Sequence, residues 1–237
     1  MSLADKAYGY RARVGQLYPS GGLCDFEMQR MAPEGVQFVT TRMPFRDTSK
    51  ESDLALVRDL ENNARLLADA QVGLIAFNCT AASLLCGPAV IRERIRAATG
   101  IDSITTIEAV EDALRRFSAR RIGLFTPYRR EVIESEKEYL VQQGYEICAE
   151  AHIECLDPVQ QGSIPPATWL DLARRTDVSG CDTLLFSCAG IYLSPVLAGI
   201  EQATGKPVVS SNAALLWRIL RELGIAGDPA HGRLFAA

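Results

Sequence analysis

The sequence predicts an α/β protein built as two pseudo-symmetric parallel-sheet domains, flavodoxin-like in arrangement, with an active site in the cleft between them. Three observations predict it. Short apolar runs without clean alternation recur along the chain, as in strands covered on both faces. Segments with apolar residues at helical spacing separate them, and strand–helix alternation implies parallel sheets with right-handed crossovers. The second half of the chain also repeats the first. ARVGQLYPSGG (12–22) matches RRIGLFTPYRR (120–130), with Pro19 and Pro127 108 residues apart (127 − 19). VGLIAFNCTAAS (72–83) matches DTLLFSCAGIYL (182–193), with Cys79 and Cys188 109 apart (188 − 79). ATGIDSITT (98–106) matches ATGKPVVSS (203–211) at an offset of 105 (203 − 98). Three matches in one order and at nearly one offset indicate a duplicated unit.

In chain order, RVGQLY (13–18) is the first strand. SDLALVRDLENNARLLADA (52–70) reads as one helix, with Leu54, Val57, Leu60, Ala64 and Leu67 on one side. VGLIAFN (72–78) is a central strand. GPAVIRERIRAATG (87–100) is a helix opened by Pro88 and closed by Gly100. SITTI (103–107) is a strand and EAVEDALRRF (108–117) a helix. The second half gives strands at RIGLFT (121–126), EICAEAHI (146–153), DTLLFS (182–187) and KPVVSS (206–211). Helices fall at 131–145, 168–176, 195–205 and 213–225. These elements define a first domain over 1–117 and a second over 118–212, with 213–237 completing the first.

Composition narrows the function classes. The 237 residues carry 48% hydrophobic and 23% charged side chains, ordinary globular values, and a net charge of −4. No Lys/Arg run suggests a nucleic-acid partner. No apolar run reaches the ~20 residues that span a bilayer. The N-terminus MSLADKAYGYRARVG lacks a signal-type apolar region, so a cytoplasmic location is expected. The seven cysteines are odd in number and form no CxxC pair, so free thiols are expected. Neither His152 nor His231 stands at ligand spacing to a cysteine, and no phosphate-binding glycine motif follows a strand. No metal and no cofactor is therefore expected.

Ligands of open parallel sheets bind beyond the carboxyl ends of the strands. Cys79 and Cys188 lie there, at matching points of the repeat, and so do Pro19-Ser20 and Pro127-Tyr128. Two thiols facing one cleft suit proton transfer at the two faces of a planar carbon. The small residues after them, Thr80 to Ser83 and Ala189-Gly190, let backbone N–H groups approach a carboxylate. A helix N-terminus there is expected to lower each thiol's pKa. Ser20, Thr80 and Tyr128 are candidate hydroxyl donors, and Tyr128 is expected to bind carboxylate without influencing the thiols. The remaining cysteines, 24, 86, 148, 155 and 181, read as structural. A Cys–His nucleophile pair is left open by spacing.

VGQLYPS, RMAPEGVQFVTTRM (30–43), LIAFNCTAAS, RIGLFTPY, LLFSCAGI and GKPVVSSNAALLWRILRELG together resemble the Asp/Glu racemase superfamily, in its maleate cis-trans isomerase and arylmalonate decarboxylase branch. The resemblance implies that Cys79 and Cys188 are the catalytic cysteines. It implies that Tyr128 and Thr80 bind carboxylate, that Pro19 ends the first strand at the site, and that Ala189 and Gly190 supply backbone donors. Three departures stand out. The decarboxylase has Gly where this chain has Cys79. Gly22 and Pro158 stand where the maleate isomerases carry Asn. SCAG lacks the acidic or His residue of the amino-acid racemases. The expected function is a cofactor-independent isomerase or racemase of a small carboxylic or dicarboxylic acid, by two-cysteine proton transfer or thiolate addition. The alternatives are an arylmalonate-type decarboxylase using Cys188 as proton donor, and a non-catalytic small-acid binding protein. The only partner expected is the small carboxylate, with a homo-oligomer left open.

Overall fold

The structure is a computed structural model and describes residues 6–236. The first half runs β1 (Ala12–Pro19), α1 (Glu27–Met31), β2 (Val36–Met43), α2 (Lys50–Ala55), α3 (Leu60–Asp69), β3 (Leu74–Phe77), α4 (Thr80–Cys86), α5 (Pro88–Thr99), β4 (Ser103–Thr105) and α6 (Thr106–Arg116). The second runs β5 (Arg121–Thr126), α7 (Arg130–Gln142), β6 (Glu146–His152), α8 (Pro158–Ser163), α9 (Pro166–Arg175), β7 (Thr183–Phe186), α10 (Leu197–Thr204), β8 (Val208–Ser210) and α11 (Ser211–Glu222). The sheets are ordered β2-β1-β3-β4 and β6-β5-β7-β8, every pairing parallel, so the same topology appears twice.

The central strands β3 and β7 are buried along their whole length, as their unbroken apolar runs require. Alternate residues of β3 serve two cores. Leu74 and Ala76 join the large core that contains the second sheet, α6 and α11, while Ile75 and Phe77 pack with Leu60, Leu67, Ile91 and Ile95 of α3 and α5. In the second half, Phe125 and Phe186 stack at 4.5 Å between ring centroids. Helix starts carry local signals. A capping box joins Thr105 and Glu108 at α6, Pro88 opens α5, and the Ser210 hydroxyl accepts from the Ala213 N–H at α11. α11 lies against α6, where Arg218 pairs with Asp112 at 2.9 Å.

The structure departs from the sequence reading in local places. The helix expected over 52–70 is two helices, α2 and α3, separated at Leu56–Asp59. The break resets the helical phase, so Leu54 is exposed and Asp53 is buried. α1, β2 and α8 carry weak periodicity and were not foreseen.

Candidate active site

Both cysteines stand just past the ends of central strands. β3 ends at Phe77; Asn78 and Cys79 follow, and Cys79 caps α4 with extended backbone. β7 ends at Phe186, followed by Ser187 and Cys188. Here the halves diverge: a turn, not a helix, follows Cys188, and α10 begins only at Leu197. The Gly190 N–H curls back onto the Cys188 Sγ at 3.1 Å, and the Ala82 N–H reaches the Cys79 Sγ.

A buried polar frame fixes these two corners. The Cys188 N–H donates to the Ser211 hydroxyl at 3.0 Å, and the Thr80 hydroxyl donates to the same oxygen at 2.8 Å. Asn78 donates to the Asn212 carbonyl oxygen, and Asn212 donates onward to the Ala189 carbonyl at 3.0 Å and to the Glu27 carboxyl. Glu27 also accepts the N–H groups of Leu193 and Ser194. Buried polar groups paired to this degree hold one geometry.

Cys79 and Cys188 line one narrow pocket, whose empty volume, counted out to the solvent, is about 390 Å³. Pro19, Thr80, Tyr128, Ala189 and Gly190 line it with them. Ser20 does not. Its hydroxyl donates to the Phe45 carbonyl and accepts the Phe45 N–H, stitching the end of β1 to the chain beyond β2. Five of the lining residues lay outside the sequence reading: Tyr18, Phe45, Thr48, Asp53 and Gln161. The first is a hydrogen-bonding hinge, its hydroxyl donating to the Ala189 carbonyl at 3.2 Å and accepting the Cys24 N–H at 3.1 Å. Gly22 lies on that ring: a Cβ there would come within 2.6 Å of it, so an Asn at this position has no room. Pro158 fills the other departure and also lines the pocket.

Two of the unforeseen residues touch the thiols. Asp53 Oδ1 stands 3.7 Å from Cys79 Sγ, and Gln161 Oε1 stands 3.6 Å from Cys188 Sγ. The offset of the repeat carries the signal for them, since they lie 108 residues apart (161 − 53). Among the described residues the pocket wall holds no Lys, Arg or His. Arg129 is turned aside, donating to Thr48 Oγ1 and the Leu156 carbonyl.

The expected lowering of both thiol pKa values is reversed. Burial pushes Cys79 well above the usual thiol range and Cys188 up to about 12, and it outweighs the backbone N–H groups that favour the thiolates. In the free protein both sulfurs are therefore thiols. Tyr128 is not indifferent to them either, because its hydroxyl lies toward Cys188 and favours the thiolate. Burial pushes the tyrosine's own pKa well up, so it remains a donor. All seven cysteines are free, and among the described residues no three His, Cys, Asp or Glu side chains gather as a metal site.

Known proteins are similar to this chain in sequence and fold. The maleate isomerase of Nocardia farcinica is 29% identical over 94% of this chain and 94% of its own. The crystal structure of the maleate isomerase Iso of Pseudomonas putida superposes with a TM-score of 0.90 at 25% identity, over 95% of this chain and 98% of that one. A mutant of the Nocardia farcinica enzyme with a covalently bound succinylcysteine intermediate superposes with a TM-score of 0.86 at 26% identity, over 94% and 98%. The family model described as arylmalonate decarboxylase matches residues 15–235, and the chain belongs to that family.

Proposed function

We propose that the pocket takes the carboxylate of a small acid and that Cys79 and Cys188 act on the adjoining carbon from its two sides, as a cofactor-independent isomerase or racemase. The observation that carries this reading is that two thiols from equivalent strand ends line one small pocket together with hydrogen-bond donors. The Tyr128 hydroxyl and the first-turn N–H groups of α4 at Thr80 and Ala81, which lack intrahelical acceptors, suit a carboxylate. The backbone of Ala189 and Gly190 closes its other side. Removing a proton beside a carboxylate builds an enediolate, whose second negative charge these donors stabilise.

Two versions use the same groups. In a racemase, one sulfur takes the proton of the α-carbon and the other returns one on the opposite face. In a cis-trans isomerase, one cysteine loses its proton and its sulfur adds to the double bond. The resulting single bond rotates, and the C–S bond breaks to restore the alkene. The succinylcysteine in the Nocardia farcinica relative supports the second version. A decarboxylase reading is favoured by the apolar Phe45 and Pro158 in the pocket wall, against which a carboxylate is poorly held. In that chemistry Cys188 alone is essential.

The test is a panel of maleate, 2-substituted malonates and chiral 2-substituted acids in deuterated water. Isomerisation, or deuterium entry at the α-carbon, that is lost in both Cys79→Ser and Cys188→Ser is the expected result. Full turnover by Cys79→Ser on a malonate would replace this reading with decarboxylation.

A further inference from the structure

Most polar side chains in the pocket wall are paired within the protein. The Tyr18 hydroxyl donates to the Ala189 carbonyl and accepts the Cys24 N–H. The Thr48 hydroxyl donates to the Cys155 carbonyl at 2.7 Å and accepts from Arg129. The Thr80 hydroxyl donates to Ser211. Tyr128 serves the substrate carboxylate in the function proposed above.

Two side chains of the wall each keep one polar atom unpaired. Asp53 meets Cys79 Sγ through Oδ1 at 3.7 Å, and its Oδ2 has no hydrogen bond among the described residues. Gln161 meets Cys188 Sγ through Oε1 at 3.6 Å, and its Nε2 has none among them either. The two residues are only 3% and 4% exposed. They face one small space, since the Asp53 charge is felt at Cys188 as well as at Cys79. Buried polar atoms are nearly always paired, and a buried carboxylate is the costliest to leave alone. No cation of the wall serves Asp53. The charged groups turned toward it, Asp47 and Glu131, are acids, and the Cys86 thiol lies against its main-chain carbonyl. The partner of these two atoms has to come with the ligand.

Their chemistry selects that partner. Nε2 only donates, whereas Oδ2 accepts when the carboxyl is ionised and can donate when it holds a proton. A hydroxyl both donates and accepts, so it answers Nε2 and either form of the carboxyl. An ammonium group only donates; it leaves Nε2 unserved and pairs well only with ionised Asp53. A second carboxylate on the substrate pairs with protonated Asp53 but meets the ionised form as a like charge. A methyl group pairs with neither atom. Burial raises the Asp53 carboxyl to about 7, so both forms are present near neutrality, and the hydroxyl suits each.

Resting on the function proposed above, we propose that Asp53 and Gln161 make the pocket selective for a small carboxylic acid that carries a hydroxyl on or beside the reacting carbon. Asp53 Oδ2 and Gln161 Nε2 hold that hydroxyl while the sulfurs act on the carbon. Both are specificity-determining residues and take no part in the bond changes. Phe45 and Pro158, in the same wall, keep the rest of the ligand small and apolar.

The experiment uses propionates that carry a hydroxyl, methyl, ammonium or carboxylate group at carbon 2, and a second set with the same groups at carbon 3. Affinities are measured by isothermal titration calorimetry on Cys188→Ser, which binds without turnover, and α-proton exchange in deuterated water on the wild type. In one of the two sets the hydroxy acid is expected to bind about tenfold or more tightly than its methyl counterpart, because a site with buried polar groups rejects an analogue that leaves them unpaired. It is also expected to exceed the ammonium and carboxylate members. Adding Asp53→Leu is expected to erase the hydroxyl-to-methyl ratio, and adding Gln161→Leu to reduce it. A ratio taken within one variant is insensitive to a general loss of folded protein, so a merely structural role would leave it unmoved. If Asp53→Leu does not fold, the series on Cys188→Ser decides alone. Equal affinity for hydroxyl and methyl in both sets would overturn the proposal. So would tighter binding of an ammonium or carboxylate member, or a ratio that survives Asp53→Leu. A hydroxyl preference without α-proton exchange on any member sinks the proposed function and spares the selectivity; exchange without the preference does the reverse.

Discussion

Asn78, the residue before Cys79, donates its side-chain amide to Asn212 of α11 at 3.0 Å, and Asn212 in turn holds the carbonyl of Ala189, the residue after Cys188. A single buried amide therefore links the two cysteine-bearing corners. The relative position of the sulfurs is set by this link and by Ser211, which receives Thr80 from one corner and the Cys188 N–H from the other. Polar side chains of α11 act here as a spacer between two strand ends.

Asn212→Ala removes that spacer and leaves Asn78, Glu27 and the Ala189 carbonyl short of partners. Each buried group left unpaired costs about 1–3 kcal/mol. Urea unfolding is expected to show a loss of at least that size. Activity is expected to fall further than the remaining folded fraction accounts for. Full activity in the folded variant would show that the corners hold their positions without Asn212.

Cys79→Ser and Cys188→Ser should each abolish isomerisation or racemisation, because a serine hydroxyl is essentially never ionised near neutral pH. The double variant should be little worse than either single one, as expected for residues that act as a unit. Single-turnover rates on the substrate found in the panel provide the check. Multiplicative losses would mean that the thiols act independently.

Tyr128→Phe should lower turnover by roughly a hundredfold through loss of a donor to the enediolate. The structure adds a second effect: Cys188 loses a nearby hydroxyl that favours its thiolate, so its alkylation midpoint should move up while that of Cys79 moves less. A Phe variant with near-normal turnover would reduce Tyr128 to a packed aromatic ring.

The duplicated α/β plan was legible because the repeat offset and the apolar runs state it directly. The same pattern pointed to Cys79, Cys188 and Tyr128, which line one pocket. Asp53 was hidden by reading 52–70 as one helix, since the break at Leu56–Asp59 changes which residues face inward. Ser20 was misplaced because sequence position at a strand end does not say which way a hydroxyl turns. The thiol pKa values went the wrong way because a helix field is legible in sequence, whereas the depth of burial that outweighs it is not.

Glu136, fully buried on α7 beside Ser187, makes stability pH-dependent. Its folded pKa, about 8, lies above the usual value for a free glutamate, and Asp53 is raised to about 7 in the same sense. Between the unfolded and folded values the native state binds more protons than the unfolded chain, so stability falls as pH rises across that window. The melting temperature should be higher near pH 5 than near pH 8, and Glu136→Gln should flatten the slope. An unchanged slope in that variant would place the titration elsewhere.

The sulfurs come from the central strands β3 and β7, whereas Thr48, Asp53, Pro158 and Gln161 come from segments that follow the edge strands β2 and β6. Reactive atoms and their surroundings are thus carried by separate parts of the chain. An edge segment can be replaced or lengthened without moving a central strand, whereas a change in β3 disturbs both cores and a change in β7 disturbs the larger one. Divergence among proteins of this architecture should therefore alter what is recognised sooner than how the bond is made. The same division marks α2 and α8 as the places to graft when a new acid is to be accepted.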